Sequence, residues 1–200
     1  MNLVGIVGTN SERSTNRKLL RFMAEHFAPQ AAIEVLEIKD LPAFDEPENK
    51  TAPAAVVAFS KKIAAADGVI IATPEYNHTI PAPLASALEW IAYTSRVLVN
   101  KPVMIVGCSL GALGTSRAQA HLRQILDAPE LKARVMPGTE FFLGYSEHVL
   151  DGDFNLNNPE KVAELEEHFT EFQDFVTVTN QIVKQADTDR KKAFVWEAGE

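Results

Sequence analysis

The sequence predicts an α/β fold in which a parallel sheet of five strands is covered by helices on both faces. Two apolar runs, residues 68–73 and 103–108, show no alternation with polar residues, which is typical of strands buried on both faces. Such runs alternate along the chain with segments of helical spacing, and this order favours parallel strands joined by helices. We therefore expect three layers and a doubly wound strand order of 2-1-3-4-5.

The individual elements follow from local patterns. Strands are predicted at residues 3–7, 33–38, 68–73 and 103–108 with a fifth within 135–143. A helical pattern follows the first loop through Leu19, Phe22, Met23 and Phe27, and further helices are predicted at about 53–66, 84–94, 116–126 and 159–184. No repeat or clear linker divides the chain, so residues 1–184 are expected to form one domain. Residues 185–200 form a tail that contains Phe194, Val195 and Trp196. Two alternatives stay open for this tail: docking on a neighbouring subunit, or a disordered end.

The composition narrows the class of protein. A formal net charge of −8 over 200 residues, with acidic residues spread along the chain, argues against nucleic acid or an anionic membrane as the main partner. The first apolar run is too short for a signal peptide and no run reaches membrane-spanning length, so we expect a cytoplasmic protein. The single cysteine, Cys108, lies in an apolar run and is expected to be a buried structural thiol. The histidines show no metal-ligand spacing, so no metal is expected.

The loop at residues 8–16 links the first strand to the first helix. It carries hydroxyls and amides on Thr9, Asn10, Ser11, Ser14, Thr15 and Asn16. A polar loop at a helix N-terminus can bind phosphate through its N–H groups and hydroxyls. It lacks both the Walker and the dinucleotide glycine motifs, and its hydroxyls suit a terminal phosphate monoester. The alternative is an ordinary loop in which Ser14 or Thr15 caps the helix.

A second loop, Pro74-Glu75-Tyr76-Asn77, follows the predicted third strand. Pro74 restricts the turn, so the N–H groups of the next residues can point the same way. Tyr76 offers an aromatic face, and a flat polar heterocycle needs both an apolar surface and edge donors. The alternative is a surface turn whose tyrosine packs on the helix below.

A third loop, residues 109–115, follows the predicted fourth strand. Gly111 and Gly114 allow the backbone to approach a ligand closely or to adopt positive φ, although a plain glycine-rich turn has the same composition. Arg117, just beyond, is expected to pair with an acidic neighbour rather than with a cofactor. In a doubly wound sheet ligands bind beyond the carboxyl ends of the strands where the strand order reverses, and all three loops leave carboxyl ends near that point.

Together these motifs resemble the NADPH-dependent FMN reductase family, flavodoxin-like flavoproteins that include quinone, azo-dye and chromate reductases. The family pattern is Gly-Ser-x-Arg-x-x-Ser-x-Asn, then Pro-Glu-Tyr-Asn, then Ser-x-Gly-x-x-Gly-Gly, and the resemblance covers about residues 2–180. Two positions depart from it. Ser11 stands in place of the family arginine and Thr115 in place of the last glycine. Arg13 either replaces that arginine as the phosphate's cationic partner or faces solvent.

The resemblance implies an FMN site. Thr9, Ser14 and Asn16 would hold the phosphate, the second loop would border the isoalloxazine, and Ser109 with the two glycines would line the remaining edge. The cofactor-binding residues implied in this way are Thr9, Ser11, Arg13, Ser14, Thr15, Asn16, Pro74, Glu75, Tyr76, Asn77, Ser109, Gly111 and Gly114.

The function implied is that of an FMN-dependent NAD(P)H oxidoreductase, which passes hydride from NADPH or NADH to flavin and on to a small acceptor such as a quinone, azo compound or flavin. No catalytic side chain is named, because the flavin carries the chemistry; a lone histidine such as His78 is more often a surface residue. The alternative is a flavodoxin-like electron carrier without NAD(P)H activity. The helix at 84–94 is apolar on more than one side, around Trp90, Ile91 and Tyr93. Because members of the family that the sequence resembles are dimers or tetramers, this predicts a homodimer or homotetramer.

Overall fold

The computed structural model describes residues 1–185 and contains a parallel sheet with helices on both faces. The sheet order is β2-β1-β3-β4-β5, and a sixth strand, β6, also pairs with β4. The strands are β1 (Asn2–Val7), β2 (Ala32–Glu37), β3 (Gly68–Ala72), β4 (Pro102–Cys108), β5 (Arg134–Val135) and β6 (Phe141–Leu143). The predicted fold class and strand order are confirmed.

The predicted fifth strand is present as two short segments on the same side of β4. Arg134 and Val135 pair with the first residues of β4, whereas β6 pairs with residues 106–108 at its other end. Between them the chain passes through Pro137 and Gly138, whose φ is +73°. Proline cannot donate to a strand ladder and a positive φ breaks the extended backbone, so the strand is interrupted at this point.

Helices cover the sheet in two separate cores. They are α1 (Thr15–His26), α2 (Ala54–Ala65), α3 (Ala82–Trp90), α4 (Ser116–Leu126), α5 (Ser146–Val149) and α6 (Pro159–Gln185), and α3 continues into a π-helix, Ile91–Ser95. One core joins the sheet to α1 and α6, where the rings of Phe27 and Phe169 stack with centroids 3.8 Å apart. The other joins the sheet to α2, α3 and α4. The three-layer arrangement predicted from the apolar runs is therefore present.

Trp90 and Ile91 are buried within the chain itself. Trp90 is 2% exposed, and its indole N–H donates to the carbonyl of Pro42 at 2.9 Å. Phe44 packs edge-on against the Trp90 ring, and the Tyr93 hydroxyl donates to the carbonyl of Pro47 at 3.2 Å. The loop before α2 thus covers the second apolar side of this helix, so that apolar side is no longer an argument for a subunit interface.

The strand order reverses between β1 and β3. Val7 pairs with Ala72 at the carboxyl ends of these strands, and Ala72 in turn pairs with Val106 in β4. Gly8 donates its N–H to Ala72 O at 2.8 Å, and a Cβ on Gly8 would lie 2.7 Å from that oxygen. Glycine is therefore required for the close approach of the first two loops, which leave the sheet side by side.

Residues 1–185 include no helix long and apolar enough to cross a membrane. Their histidine, cysteine and acidic side chains form no cluster able to hold a metal ion. Cys108 is buried, as predicted.

Candidate functional site

A cavity of about 550 Å³ opens at the carboxyl edge of the sheet, between the first and second loops. This volume lies within the range of pockets that hold small molecules and cofactors, about 300–1,000 Å³. Its position is the one predicted for a ligand in a doubly wound sheet. The residues that line it are Thr9, Asn10, Ser11, Tyr76, Asn77, Thr79, Ile80, Pro81, Ala82 and Pro83.

The first loop is organised by its own hydroxyls. The Ser14 Oγ accepts the N–H of Arg17 at 3.2 Å and so caps α1, while the Thr9 Oγ1 accepts the N–H of Ser11 at 3.2 Å. A hydroxyl that accepts one hydrogen bond still has its own proton to donate. Thr9 and Ser14 therefore combine a structural contact with a donor for a ligand.

Several backbone donors of this loop have no acceptor within residues 1–185. They are the N–H groups of Asn10, Glu12, Arg13, Thr15 and Asn16. The last two belong to the first turn of α1, where the helix dipole favours negative charge. Unused N–H groups beside two donor hydroxyls at a helix N-terminus match the chemistry of a phosphate.

Asn16 and Thr15 direct their side chains away from this donor set. The Asn16 Oδ1 accepts the N–H of Cys108 at 3.0 Å, and its Nδ2 donates to the Cys108 carbonyl at 2.9 Å. The Thr15 Oγ1 accepts from Ser146 Oγ at 2.9 Å and from the Cys108 Sγ at 3.3 Å. Both side chains thus tie the first loop to the end of β4, which leaves only their backbone N–H groups for a phosphate.

Cys108 is enclosed by these contacts. Burial raises the pKa of its thiol from 9.0 to about 12, against smaller opposing effects of the hydrogen bonds with Thr15 and Ser146. The thiolate is the reactive form of cysteine, so Cys108 is a structural residue.

Arg17 was not identified from the sequence. Its Nε and Nη2 bind the two carboxylate oxygens of Glu37 at 2.6 and 2.8 Å, and its Nη1 donates to the carbonyl of Ser11 at 2.6 Å. Hydrogen bonding to Glu37 is the largest of the effects that raise the pKa of Arg17. The guanidinium thus braces the first loop against β2, and its charge is balanced by the Glu37 carboxylate. A cation in the first turn of a helix is unfavourable for the helix dipole, which was the signal for a specific partner.

Arg13 lies on the surface of the same loop. Its side chain is exposed, and among the described residues none forms a salt bridge with it. The two loop arginines therefore differ: Arg17 is fixed within the fold, whereas Arg13 is directed to solvent.

The second loop is a tight hairpin. Tyr76 and Thr79 exchange two backbone hydrogen bonds of 3.0 and 3.1 Å, and Asn77 and His78 between them have φ values of 52° and 67°. Two successive left-handed residues define a type I′ turn. The N–H of Tyr76 is thus used inside the hairpin, while its ring remains 49% exposed at the mouth of the cavity. The Thr79 hydroxyl contacts the Nδ1 of His121 on α4.

Glu75 directs its carboxylate away from the cavity. Its side chain is 8% exposed and pairs with Arg117, which confirms the acidic partner predicted for that arginine. The same carboxylate accepts the N–H groups of Arg117 and Ala118 at 3.1 and 3.3 Å. It therefore caps α4, whose preceding residue Thr115 makes no side-chain capping bond, and it positions the second loop.

The third loop lies at the same edge but outside the cavity lining. The Ser109 Oγ donates to Gly111 O and accepts the N–H of Gly114, both at 2.9 Å. Gly114 has a φ of +54°, and a Cβ there would lie 2.6 Å from the backbone of β6. By contrast, a Cβ on Gly111 would meet nothing within 4 Å. Ser109 and Gly114 thus shape the loop, and Gly111 leaves an open approach.

Comparisons with known proteins agree with this geometry. Residues 1–148 match the family described as NADPH-dependent FMN reductase. The chain is 55% identical over 201 residues to the NADH:(hydroxy)cinnamate reductase subunit CrdA of Vibrio ruber, which covers 100% of both chains. It is 42% identical to the NADH-dependent flavin reductase subunit 2 of Lactobacillus johnsonii, over 88% of this chain and 97% of that one. Quinone reductase of Escherichia coli K12 is 34% identical, over 76% of this chain and 81% of its own length.

Solved structures show the same fold. The flavoenzyme NAD(P)H:(acceptor) oxidoreductase FerB from Paracoccus denitrificans superimposes with a TM-score of 0.80 at 24% identity, over 89% of this chain and 98% of that one. From the family match and the relatives above, the chain belongs to the NADPH-dependent FMN reductase family and is an NAD(P)H-dependent, FMN-using oxidoreductase.

Proposed function

We propose that this protein is the FMN-bearing subunit of a reductase, which takes hydride from NADH and passes electrons to a second redox subunit. The observation that carries the proposal is the cavity at the point where the strand order reverses. Asn10, whose N–H is unused, and the exposed ring of Tyr76 both line it, and the other unused N–H groups lie on the same loop as Asn10. A phosphorylated flat ring requires both features. FMN, when bound, supplies the hydride chemistry.

The first loop provides the phosphate end of the proposed site. The N–H groups of Thr15 and Asn16 and the hydroxyls of Thr9 and Ser14 are the donors, and all four belong to the predicted set. The positive potential comes from the α1 dipole, whereas the charge of Arg17 is paired with Glu37 and its side chain braces the loop from behind. Arg13, on the exposed side of the loop, is available to a second ligand.

The second and third loops provide the ring end. Tyr76 offers its exposed face to the flat ring, and Asn77 lines the cavity beside it. Pro74 is buried and Glu75 is held by α4, so both keep the hairpin in place. Gly111 keeps one side of the edge open, through which donor and acceptor reach the ring. These residues orient and enclose the flavin ring, and none of them acts as an acid or base.

NADH is proposed as the donor because the relatives that are 55% and 42% identical to this chain are both named for NADH. Purified protein mixed with FMN and NADH without air should bleach the flavin absorbance, and NADPH should do so more slowly. A flavin that stays oxidised on the stopped-flow timescale would contradict the proposal.

The phosphate site is tested separately. Ser14→Ala removes a hydrogen-bond donor to the phosphate, and because hydrogen bonds to charged groups contribute about 1.5–3 kcal/mol, we expect FMN binding to weaken about tenfold or more. Loss of the α1 cap should separately lower stability by about 0.5–2 kcal/mol. Flavin fluorescence quenching measures the affinity. Thr51→Ala is the control, because that hydroxyl is exposed in the loop before α2 and does not line the cavity. Equal effects of the two substitutions would count against the assignment of Ser14.

A second subunit is proposed because both of these relatives are named as subunits. Four large side chains form an exposed group around the carboxyl edge, which we call the apolar rim: Tyr76 after β3, Leu110 and Leu113 after β4, and Tyr145 after β6. Exposed apolar groups of this kind mark interaction sites. A partner seated on the rim would lie next to the ring that must reduce it.

The rim is tested in the chain's own host. Tagged wild-type protein should be isolated there as a complex of fixed stoichiometry, which Leu113→Asp should disrupt. Val178→Asp is the control, since Val178 is equally exposed on α6 but far from the rim. Recovery of the wild-type chain alone, together with efficient turnover of benzoquinone by that chain, would instead support a reductase acting on small acceptors, as the Escherichia coli relative is named.

Assembly of copies of this chain is a further part of the proposal. On the family resemblance we expect a homodimer or homotetramer, and light scattering above the 22.0 kDa of one chain would support it. We place the protein in the cytoplasm, where NADH is formed.

A further inference from the structure

The cavity at the carboxyl edge is lined without a histidine, a carboxylate or an amine. Of the ten residues that line it, none is an aspartate, glutamate, histidine, lysine or arginine. The proposed reaction nevertheless releases a proton there. Hydride from NADH brings two electrons and one proton, and a redox partner that accepts only electrons leaves that proton behind. Under the proposed function, the protein therefore needs a route for this proton from the cavity to solvent.

One residue of the cavity lining is hydrogen-bonded to a histidine. The Thr79 hydroxyl contacts the Nδ1 of His121 on α4. Within residues 1–185, the other hydrogen bond between the lining and an ionisable side chain joins Ser11 O to Arg17, and a guanidinium keeps its charge in proteins. Of these two side chains, only the imidazole can take up and release a proton near neutral pH.

The second loop and α4 hold this contact in place. At the start of the loop, the Glu75 carboxylate accepts the N–H groups of Arg117 and Ala118, and at its end Thr79 meets His121. Arg117 and His121 are four residues apart and so lie on the same face of the helix. The loop is thus attached to α4 at both ends. All of these residues are within the described part of the chain, whereas residues 186–200 of the predicted tail lie outside it.

Thr79 and His121 connect the cavity with solvent. Thr79 is half-buried and lines the cavity, while His121 is exposed on α4. A hydroxyl can accept on its oxygen while it donates its own proton, and a neutral imidazole has one nitrogen that accepts. The pair therefore has the chemistry of a short path for a proton.

We propose, on the basis of the function proposed above, that Thr79 and His121 form a proton relay. As electrons leave the cofactor for the partner, the proton left behind binds Thr79 Oγ1, and the Thr79 hydroxyl passes its own proton to Nδ1 of the neutral imidazole. The imidazolium then releases a proton to solvent. Thr79 ends unchanged, because one O–H bond forms as the other breaks. Two electrons go to the partner, and the proton that came with the hydride leaves through His121.

The side chains that bear charge on the second loop and on this face of α4 are Glu75, His78 and Arg117. The charge of Arg117 is paired with that of Glu75, which is largely buried. His78 is exposed next to Thr79, and it forms no hydrogen bond with a residue in the range 1–185. His78 is therefore a matched control, a histidine of the same loop that is not bonded to the cavity lining.

Reoxidation of bound flavin by ferricyanide tests the relay, because this acceptor takes electrons and no proton. FMN on the saturated protein is first reduced with a stoichiometric amount of dithionite, so the test does not depend on NADH. His121→Asn keeps an amide beside Thr79 but cannot take up a proton. We expect it to slow reoxidation about tenfold or more, since a general acid or base typically contributes about 10²–10⁴-fold. His78→Asn should leave the rate unchanged.

Histidine nitrogen resonances give a readout that needs no flavin. In the FMN-free chain, the signals that disappear in His121→Asn belong to His121. These signals should move when Thr79→Val removes the hydroxyl, whereas those of His78 should stay in place. Identical His121 signals in wild type and Thr79→Val would refute the contact on which the relay depends.

The pH profile separates proton transfer from a purely structural role. Wild-type reoxidation should slow as the pH falls from about 8 to 5, because a protonated imidazole cannot accept a further proton, and His121→Asn should lose this dependence. Thr79→Val should be as slow as His121→Asn, and the double variant no slower than either. A failure of NADH to reduce the flavin would contradict the proposed function alone. Unchanged reoxidation in His121→Asn, or a pH profile that this variant retains, would overturn the relay.

Discussion

The two edges of the sheet solve the problem of unpaired backbone groups in different ways. At the carboxyl edge, Asn16 and Glu75 use their side chains to bind backbone of neighbouring elements, and the N–H groups of the first loop remain unused. At the amino edge, two long side chains donate to backbone carbonyls. The Lys101 ammonium binds carbonyls at the end of α2, and the Arg96 guanidinium binds one in the turn that follows α4. The first edge therefore presents unused donors to a ligand, whereas at the second edge side-chain cations satisfy the backbone carbonyls.

This difference assigns chemistry to one edge and stability to the other. Donors that face an open cavity attract an anion, while satisfied carbonyls bring no such affinity. Substitutions at the two edges should therefore separate into those that change FMN binding and those that change only the free energy of unfolding. The following experiments test that separation, from the largest expected effect to the smallest.

The rate at which Cys108 is alkylated measures whether the carboxyl edge stays folded. A pKa raised from 9.0 to about 12 leaves roughly a thousandfold less thiolate at neutral pH, so alkylation should proceed only through opening of the fold. FMN should slow it further. The raised pKa also means that this contribution to stability is complete below pH 9.0 and is lost as the pH rises towards 12. Rapid alkylation of folded protein by iodoacetamide would show that the edge is open.

Gly114→Ala should strongly destabilise the fold at this edge. A Cβ would meet the backbone of β6 at 2.6 Å, and φ is +54°, so strain and overlap together should cost about 3 kcal/mol. Gly111→Ala is a matched control, since its Cβ has open space, and should change stability by less than about 0.5 kcal/mol. Urea denaturation measures both, and similar values would contradict the loop geometry.

Arg17→Ala should affect both stability and the cofactor. The two-point contact with Glu37 and the bond to Ser11 O are lost, which should cost about 2–3 kcal/mol because both partners are largely buried. FMN affinity should fall about tenfold or more, since the loop loses its brace. Arg13→Ala, on the exposed arginine, should change neither quantity much. A larger loss of FMN affinity in Arg13→Ala would identify Arg13 as the phosphate's cation.

Lys101→Met tests the difference between the two edges with a substitution at the amino edge. Its ammonium donates to the carbonyls of Ala64 and Ala66 at the end of α2, so the substitution should cost about 1 kcal/mol of stability. FMN affinity should stay the same. If the affinity falls in step with stability, the two edges are coupled and the proposed separation fails.

Thr115→Gly should have the smallest effect. Thr115 has a φ of 70°, which is strained for a β-branched residue, and glycine would relieve about 1 kcal/mol of that strain. The hydroxyl also accepts a hydrogen bond from Gln119 at 3.2 Å, which would be lost. The two terms oppose each other, so a change in unfolding free energy beyond about 1 kcal/mol in either direction would show that one of them is misjudged.

The fold could be predicted because strands that are buried on both faces consist of consecutive apolar residues. The runs around Val69 and Val103 specify strands buried on both faces, and the polar loops that follow them meet at one edge by topology alone. The interruption between β5 and β6 was missed, since a single Pro137-Gly138 step resembles an ordinary strand end.

The residues of the site were found more readily than their orientations. Asn16 was selected as a donor, but its partner Cys108 lies 92 residues away, and no local pattern reveals which of two possible directions an amide takes. The turn at Asn77 and His78 lacks the glycine that normally marks a type I′ hairpin. Arg17 and Glu37 are paired only because β2 lies beside β1.

The amide of Asn16 has a consequence for how the enzyme assembles. It binds the backbone of Cys108, the last residue of β4, while its own backbone lies in the first turn of α1. In the proposed FMN site, the residues around the phosphate are therefore joined directly to the turn that follows β4. Cofactor bound at α1 would then also order the apolar rim, so that the proposed partner would meet a more rigid surface on a loaded subunit than on an empty one.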